Sequence, residues 1–93
     1  MPNNNHKPKT PAVLFQECGL ALTANAVNWQ MILAHLLGVR RDSVHDWKQG
    51  RNPIRPQVWA DVLSLIVDQK AALTRIEAEV RELLAKQLQE DRP

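Results

Sequence analysis

Residues 30–50 of the chain read QMILAHLLGVRRDSVHDWKQG. The first half of this stretch carries leucines at a spacing typical of a helix that buries one face. Gly38 ends that helix, because glycine enters the left-handed backbone region at little cost. A second short helix is predicted from about Arg41 to Gln49, and Gly50 ends it. Two short helices joined by a tight glycine turn form a helix-turn-helix unit.

Small and apolar side chains are expected to hold these two helices together. Ala34 lies four residues before Gly38, where a small residue lets the helices cross closely. The other side chains expected in this contact are Leu33, Leu37, Val39, Val44 and Trp47. The second helix would therefore be anchored to the core by one side and expose the other.

One further helix is predicted before the pair, and the first helix of the pair has a predicted start. Thr10 and Pro11 make a helix start, with a capping residue followed by proline at the first helical position. The helix runs to Leu22, and its expected core-facing residues are Val13, Leu14, Cys18, Ala21 and Leu22. Residues 23–27 read as a connector, and Asn28 is expected to cap the helix Trp29–Leu37, which contains the first half of the quoted stretch.

A long helix is predicted after the pair. Pro56 opens it, and no glycine or proline follows until Pro93. A four-three alternation marks one side of this helix: Val62, Ile66, Gln69, Leu73, Ile76, Val80, Leu83 and Gln87. Such an alternation is typical of a coiled-coil seam, although the same face could pack on its own domain. The residues expected at a dimer interface are Ile66, Leu73, Ile76, Val80 and Leu83.

The predicted fold class is all-α: a compact helix-turn-helix domain of about four helices with a long C-terminal dimerisation helix. Residues 1–10 read as a flexible tail, 11–67 as the helix-turn-helix domain and 68–93 as the C-terminal dimerisation helix. With 93 residues and one cysteine, Cys18, the chain has no intrachain disulfide. Its histidines lie too far apart in sequence for a structural zinc site, so no cofactor is expected. A second subunit is the expected source of extra stability.

The start of the chain lacks the features of a signal peptide, and no apolar stretch is long enough to cross a bilayer. We therefore expect a cytoplasmic protein without a membrane partner.

The distribution of charge says more about partners than the net charge, although charge alone favours a solvated charged surface. Net charge is only +2, but five of the twelve Lys and Arg residues lie between Arg40 and Arg55. A local basic segment on a nearly neutral chain is typical of a nucleic-acid footprint, whereas a solvated charged surface is the alternative.

The stretch also resembles a known family. Gln30, Ala34, the run Leu37-Gly38-Val39 and then Val44, Trp47 and Gly50 are similar in register to the Cro/CI-type (XRE) helix-turn-helix of transcription regulators. The resemblance covers about residues 28–66. In size and helical content the chain is also similar to small phage or mobile-element repressors, such as the anti-CRISPR-associated regulators.

The resemblance implies roles for individual residues on double-stranded DNA. The implied base-reading residues are Arg41, Asp42, Ser43, His45 and Asp46. The implied phosphate-binding residues are Asn28, Gln30, Arg40, Lys48, Arg51, Asn52 and Arg55. Asp42 and Asp46 depart from a basic reading helix, so two interpretations remain open. In one, both carboxylates accept from N4 of cytosine. In the other, Asp42 favours the start of its helix while Asp46 pairs with a nearby arginine such as Arg40 or Arg41.

Two function classes are compatible with this sequence. The resemblance implies a homodimeric repressor that binds an inverted-repeat operator, with half-sites about one helical turn apart. The alternative is an antitoxin-type interaction module whose C-terminal helix binds a partner protein. An enzyme is not expected, because no catalytic set, metal motif or phosphate-binding glycine loop is present.

Overall fold

The computed structural model describes residues 9–91, which form four α-helices. They are α1 (Pro11–Leu22), α2 (Trp29–Leu37), α3 (Arg41–Gln49) and α4 (Pro56–Glu90). No strand occurs in this range, so the all-α fold class with a long last helix is confirmed. Except for Lys9 and Thr10, the predicted N-terminal tail lies outside the described residues.

Local chemistry sets the helix ends. The Thr10 side chain accepts a hydrogen bond from the Val13 N–H at 3.2 Å, and Pro11 follows the cap. Gly38 and Gly50 have φ angles of 69° and 75°, so both end their helices in the left-handed region. Asn28 occupies the predicted cap position immediately before α2, but its side chain makes no capping hydrogen bond.

The core takes one fully buried side chain from each helix. These are Phe15 from α1, Leu33 from α2, Val44 from α3 and Val62 from α4. Trp47 and Trp59 approach Phe15 edge-on, with ring centroids 5.6 and 6.2 Å away. Edge-on contacts of this kind suit the charge distribution of aromatic rings. The four helices therefore close around a single small core.

The predicted core face of α1 is wrong in part. Val13 and Leu14 are 50% and 42% exposed, whereas Phe15 and Gly19 are buried. Apolar residues surround much of this helix, so spacing alone does not select the buried face. Leu36, one of the leucines of the quoted stretch, is 46% exposed, whereas Leu33 of the same helix is buried. Packing against the other helices decides which face of α1 and which face of α2 is buried.

The connection between α1 and α2 contains two non-glycine residues in the left-handed region. Ala24 and Asn25 have φ angles of 54° and 61°. The Asn25 N–H donates to the Leu20 carbonyl at 2.7 Å, which closes the end of α1. The chain then turns back and brings Trp29, which is 7% exposed, into the core.

α4 packs on the core with its first half only. Val62 is buried, Ile66 packs against the core, and the Gln69 amide donates to the Leu22 carbonyl at 3.1 Å. Ile66, predicted at a dimer interface, is partly buried against the core of its own chain. From Leu73 onward the seam is exposed. No helix among the described residues is long and apolar enough to cross a membrane.

Candidate DNA interface

α3 is held by one side and leaves its outer side free. Val44 is fully buried beneath it, and Trp47 is half-buried against Phe15. α3 packs against α1 and α2 but not against α4. The remaining surface of α3 is therefore free to contact a ligand.

The centre of the outer face of α3 is acidic. Asp42, Asp46 and Gln49 share the helix side opposite Val44, because residues four and seven apart lie on one face. The Asp42 side chain is 85% exposed and that of Asp46 is 33% exposed. Both carboxylates are thus presented where a base-reading surface is expected.

The other predicted base-reading residues flank this acidic centre. By helical position, Arg41 and His45 lie on one flank and Ser43 lies on the other. Arg41 is exposed, whereas Ser43 and His45 are half-buried. The five predicted base-reading residues therefore lie on one continuous surface. The middle of this surface is negatively charged, and Arg41 lies at one edge.

Sequence reasoning missed Gln49 on this face. Its amide can donate and accept in the pattern that adenine presents in the major groove. Its place seven residues after Asp42 was the available signal, because this spacing returns a side chain to the same helix side.

The carboxylates of α3 are paired with arginines outside the helix. Arg51 lies 3.7 Å from Asp46, and Arg40 lies 3.9 Å from Asp42. The predicted pairing of Asp46 with Arg40 or Arg41 is therefore wrong. The Arg51 N–H donates to the Asp46 carbonyl at 2.9 Å, and this folds the chain back after Gly50 so that the Arg51 side chain reaches the carboxylate.

A shallow cleft of about 180 Å³ lies where the first turns of α2 and α3 meet. Three predicted DNA contacts line it together: Asn28, Gln30 and Arg41. Two exposed apolar side chains, Val27 and Met31, line it as well. Sequence reasoning gave these two no role, since neither carries a group that marks a binding site.

Gln30 also connects α2 to the reading surface. Its side-chain oxygen lies 3.3 Å from Nδ1 of His45. With Nδ1 as the donor, the neutral ring keeps Nε2 as an acceptor. The contact therefore orients the His45 ring from α2, and Gln30 has a positioning role that its predicted phosphate contact did not include.

The remaining predicted phosphate contacts lie at the opposite end of α3. Arg51 and Asn52 line a second cleft, which the half-buried Trp47 and Trp59 also border. Arg55 is exposed just before α4. The predicted phosphate-binding residues thus form two groups, with Asn28, Gln30 and Arg40 near the start of α3 and Arg51, Asn52 and Arg55 beyond its end. Lys48, the seventh of them, is half-buried on α3.

The length of α3 suits a groove in DNA. A helix of nine residues is about 13 Å long, and the major groove of B-DNA is about 12 Å wide. The length of α3 is therefore of the same order as the width of the groove.

Within residues 9–91, no group of three His, Cys, Asp or Glu side chains is arranged to hold a metal ion.

Comparison of the chain with protein-family models, with curated protein sequences and with solved structures finds no match. The resemblance to Cro/CI-type regulators therefore stays a prediction that rests on the residues themselves.

Proposed function

We propose that this protein is a sequence-specific DNA-binding regulator that acts in the cytoplasm as a homodimeric repressor. α3 enters the major groove, and the groups at its two ends contact the bordering phosphates. The operator is an inverted repeat, because a two-fold symmetric dimer presents two copies of the same reading surface. Repression follows when the bound dimer occludes a promoter.

The observation that carries the proposal is the two-ended arrangement of polar and basic side chains around α3. Asn28 and Arg41 line one cleft at its start, and Arg51 and Asn52 line another beyond its end. Phosphate contacts of this kind position a protein on the duplex, whereas the side chains between them read bases.

The acidic centre of α3 supports sequence-specific rather than general DNA binding. Asp42 and Asp46 repel phosphates, so they weaken binding to arbitrary duplexes. A carboxylate becomes favourable where it accepts a hydrogen bond from N4 of cytosine. Arg41 complements them, since its guanidinium matches O6 and N7 of guanine.

Selection of DNA from a random pool tests this function. The full chain is incubated with random duplexes at moderate salt, and the retained fragments are sequenced over several rounds. An enriched inverted repeat with fixed half-site spacing is expected. Failure to enrich any sequence, with a chain shown to be folded by circular dichroism, would overturn the proposal.

A second candidate function is favoured by the bare C-terminal half of α4. Leu73, Ile76, Val80 and Leu83 are 46–60% exposed along one side. In an antitoxin-type module this side would bind a different protein. Analytical ultracentrifugation of the purified chain separates the candidates, since a stable self-dimer favours the repressor. A monomer whose C-terminal amides exchange rapidly favours the interaction module.

A further inference from the structure

One side of α4 packs on the domain core in its first part and is exposed in its second part. Up to Gln69 this side covers the domain core: Val62 is buried, Ile66 packs on the core, and Gln69 bonds to the end of α1. From Leu73 the same side continues without a covering, because the four-three alternation keeps its direction. We name the uncovered part, residues 73–90, the free seam.

The free seam is too apolar to be an ordinary solvated face. Its apolar side chains are between 46% and 60% exposed, and they are Leu73, Ile76, Val80, Leu83, Leu84 and Leu88. Six large apolar residues on one stretch of helix indicate an interaction surface. The position of the domain beside this surface restricts the orientation in which a second helix can bind to it.

A second copy running parallel is excluded by the domain itself. In a parallel pair the partner helix lies about 8–10 Å across the seam at every level. At the levels of Val62, Ile66 and Gln69 that space is occupied by α1 and α2 of the same chain. A copy running antiparallel avoids this overlap, because its own domain lies beyond the far end of the seam.

Charge selects one antiparallel register. With Val80 opposite the partner's Leu83, Glu79 faces the partner's Lys86, and the two-fold axis repeats that pair. Lys70 then lies near the partner's Asp91, again twice. Each of these pairs joins opposite charges, and the partner helix reaches no further along the seam than Leu73, just short of the covered part.

The neighbouring registers are disfavoured. A shift of one heptad toward the domain sets Glu77 and Glu79 against their own copies and places the partner's Gln87 opposite Gln69, whose amide bonds to the Leu22 carbonyl. A shift the other way sets Lys86 against its own copy. Like charges across a coiled-coil seam oppose pairing.

We infer that the chain dimerises through residues 73–90 of α4 in antiparallel orientation, with Glu79 paired to the partner's Lys86. This inference rests on the homodimer in the proposed function and specifies its geometry. The two DNA-binding domains then lie at opposite ends of the paired helices. The two Val62 positions are separated by the rise of about 39 helical residues, or about 58 Å.

Charge exchange tests the register. Either Glu79→Lys or Lys86→Glu creates two like-charge contacts, and each is expected to raise the dimer dissociation constant roughly tenfold. An equal mixture of the two variants restores dimerisation, because each heterodimer again joins opposite charges. Glu82→Lys, an equal charge change on the outward side of α4, serves as the control and is expected to leave the dimer unchanged. A mixture no better than the single variants would overturn the register.

A distance measurement tests the orientation. A spin label is attached at exposed Ser64 in a Cys18→Ala background, and pulsed electron paramagnetic resonance is recorded on the dimer. The antiparallel pair predicts about 50 Å along the helix axis, whereas a parallel pair holds the two labels about 20–25 Å apart. A short distance, or a chain that stays monomeric at high micromolar concentration, would overturn the inference.

Its failure is distinguishable from failure of the proposed function. A chain that enriches an operator but gives the short Ser64 distance binds DNA with a different dimer. A chain that gives the long distance and passes the charge exchange but enriches no DNA keeps this dimer and loses the DNA-binding function.

Discussion

The Trp29 ring lies directly on the backbone of Gly19, so that a Cβ atom at position 19 would overlap the ring carbons Cε3 and Cζ3. The same Cβ would lie 3.2 Å from Cδ2 of Leu33. Gly19 lies within α1 and Trp29 is the first residue of α2. Their contact therefore fixes how closely α2 approaches α1.

Gly19→Ala is expected to destabilise the fold by about 2–3 kcal/mol, because the added methyl must displace a buried ring. The sign of the change in the free energy of unfolding is informative, since helix propensity alone favours alanine over glycine by about 1 kcal/mol. Urea unfolding followed by circular dichroism measures the change. In a Trp29→Ala background the same substitution is expected to cost little, and an equal cost there would contradict the contact.

The local ends of the helices could be predicted from sequence, but contacts between distant residues could not. Thr10, Gly38 and Pro56 act on their immediate neighbours, so their effects are visible in short windows. Gly19 reads as a weak point of a helix until Trp29, ten residues later, is seen to lie on it.

The candidate site divides in the same way. Position on α3 predicts which residues point outward, because helical spacing is fixed. The partner of Asp46 is Arg51, which reaches it only because the chain reverses after Gly50. Ile66 packs partly against the core of its own chain, and no pattern within α4 reports this contact.

Gly38→Ala is expected to lower stability by about 1 kcal/mol through backbone conformation alone. Gly38 has φ 69°, and nothing lies within 4 Å of an added Cβ. The melting temperature should fall by about 4–8 °C for each kcal/mol of stability lost in a domain of this size. Gly38→Asn is the matched comparison, since asparagine tolerates this region better than alanine. An unchanged melting temperature for the alanine variant would argue against the left-handed turn.

Cys18 is expected to alkylate more slowly than a free cysteine at the same pH. Burial raises the pKa of its thiol, the charge of Glu17 raises it further, and Lys9 lowers it. A higher pKa leaves less thiolate, the reactive form, at any pH below it. The rate–pH profile with iodoacetamide should therefore have its midpoint above the ordinary value.

Two neighbouring substitutions test the cause of this Cys18 shift. Glu17→Gln removes a charge that raises the pKa, so the thiol should react faster. Lys9→Gln removes the opposing charge, which lies 2.7 Å from Glu17, so the thiol should react more slowly. The same direction of change in both variants would contradict the electrostatic contribution.

Arg41→Ala is expected to weaken operator binding by about 1–3 kcal/mol and to relax the preference at one base pair. The side chain is exposed and starts α3, so the melting temperature should stay close to that of the native chain. Fluorescence anisotropy with the selected operator and with single-base variants measures both effects. Arg75→Ala, an equal charge change on the exposed side of α4, is the control. Equal losses on all sequences would assign Arg41 to phosphate rather than to a base.

Asp46→Asn is expected to strengthen binding to non-operator DNA while reducing discrimination between sequences. The substitution removes a carboxylate that opposes phosphates, and it frees Arg51, whose guanidinium lies 3.7 Å from Asp46. One additional phosphate contact steepens the dependence of log affinity on log salt by about 0.9. Asp42→Asn should change this slope less, because the pair of Asp42 with Arg40 is longer, at 3.9 Å, and both side chains are almost fully exposed. Titrations on random-sequence duplex at several salt concentrations give the slopes, and weaker non-operator binding by the Asp46 variant would show that the carboxylate does not face the DNA.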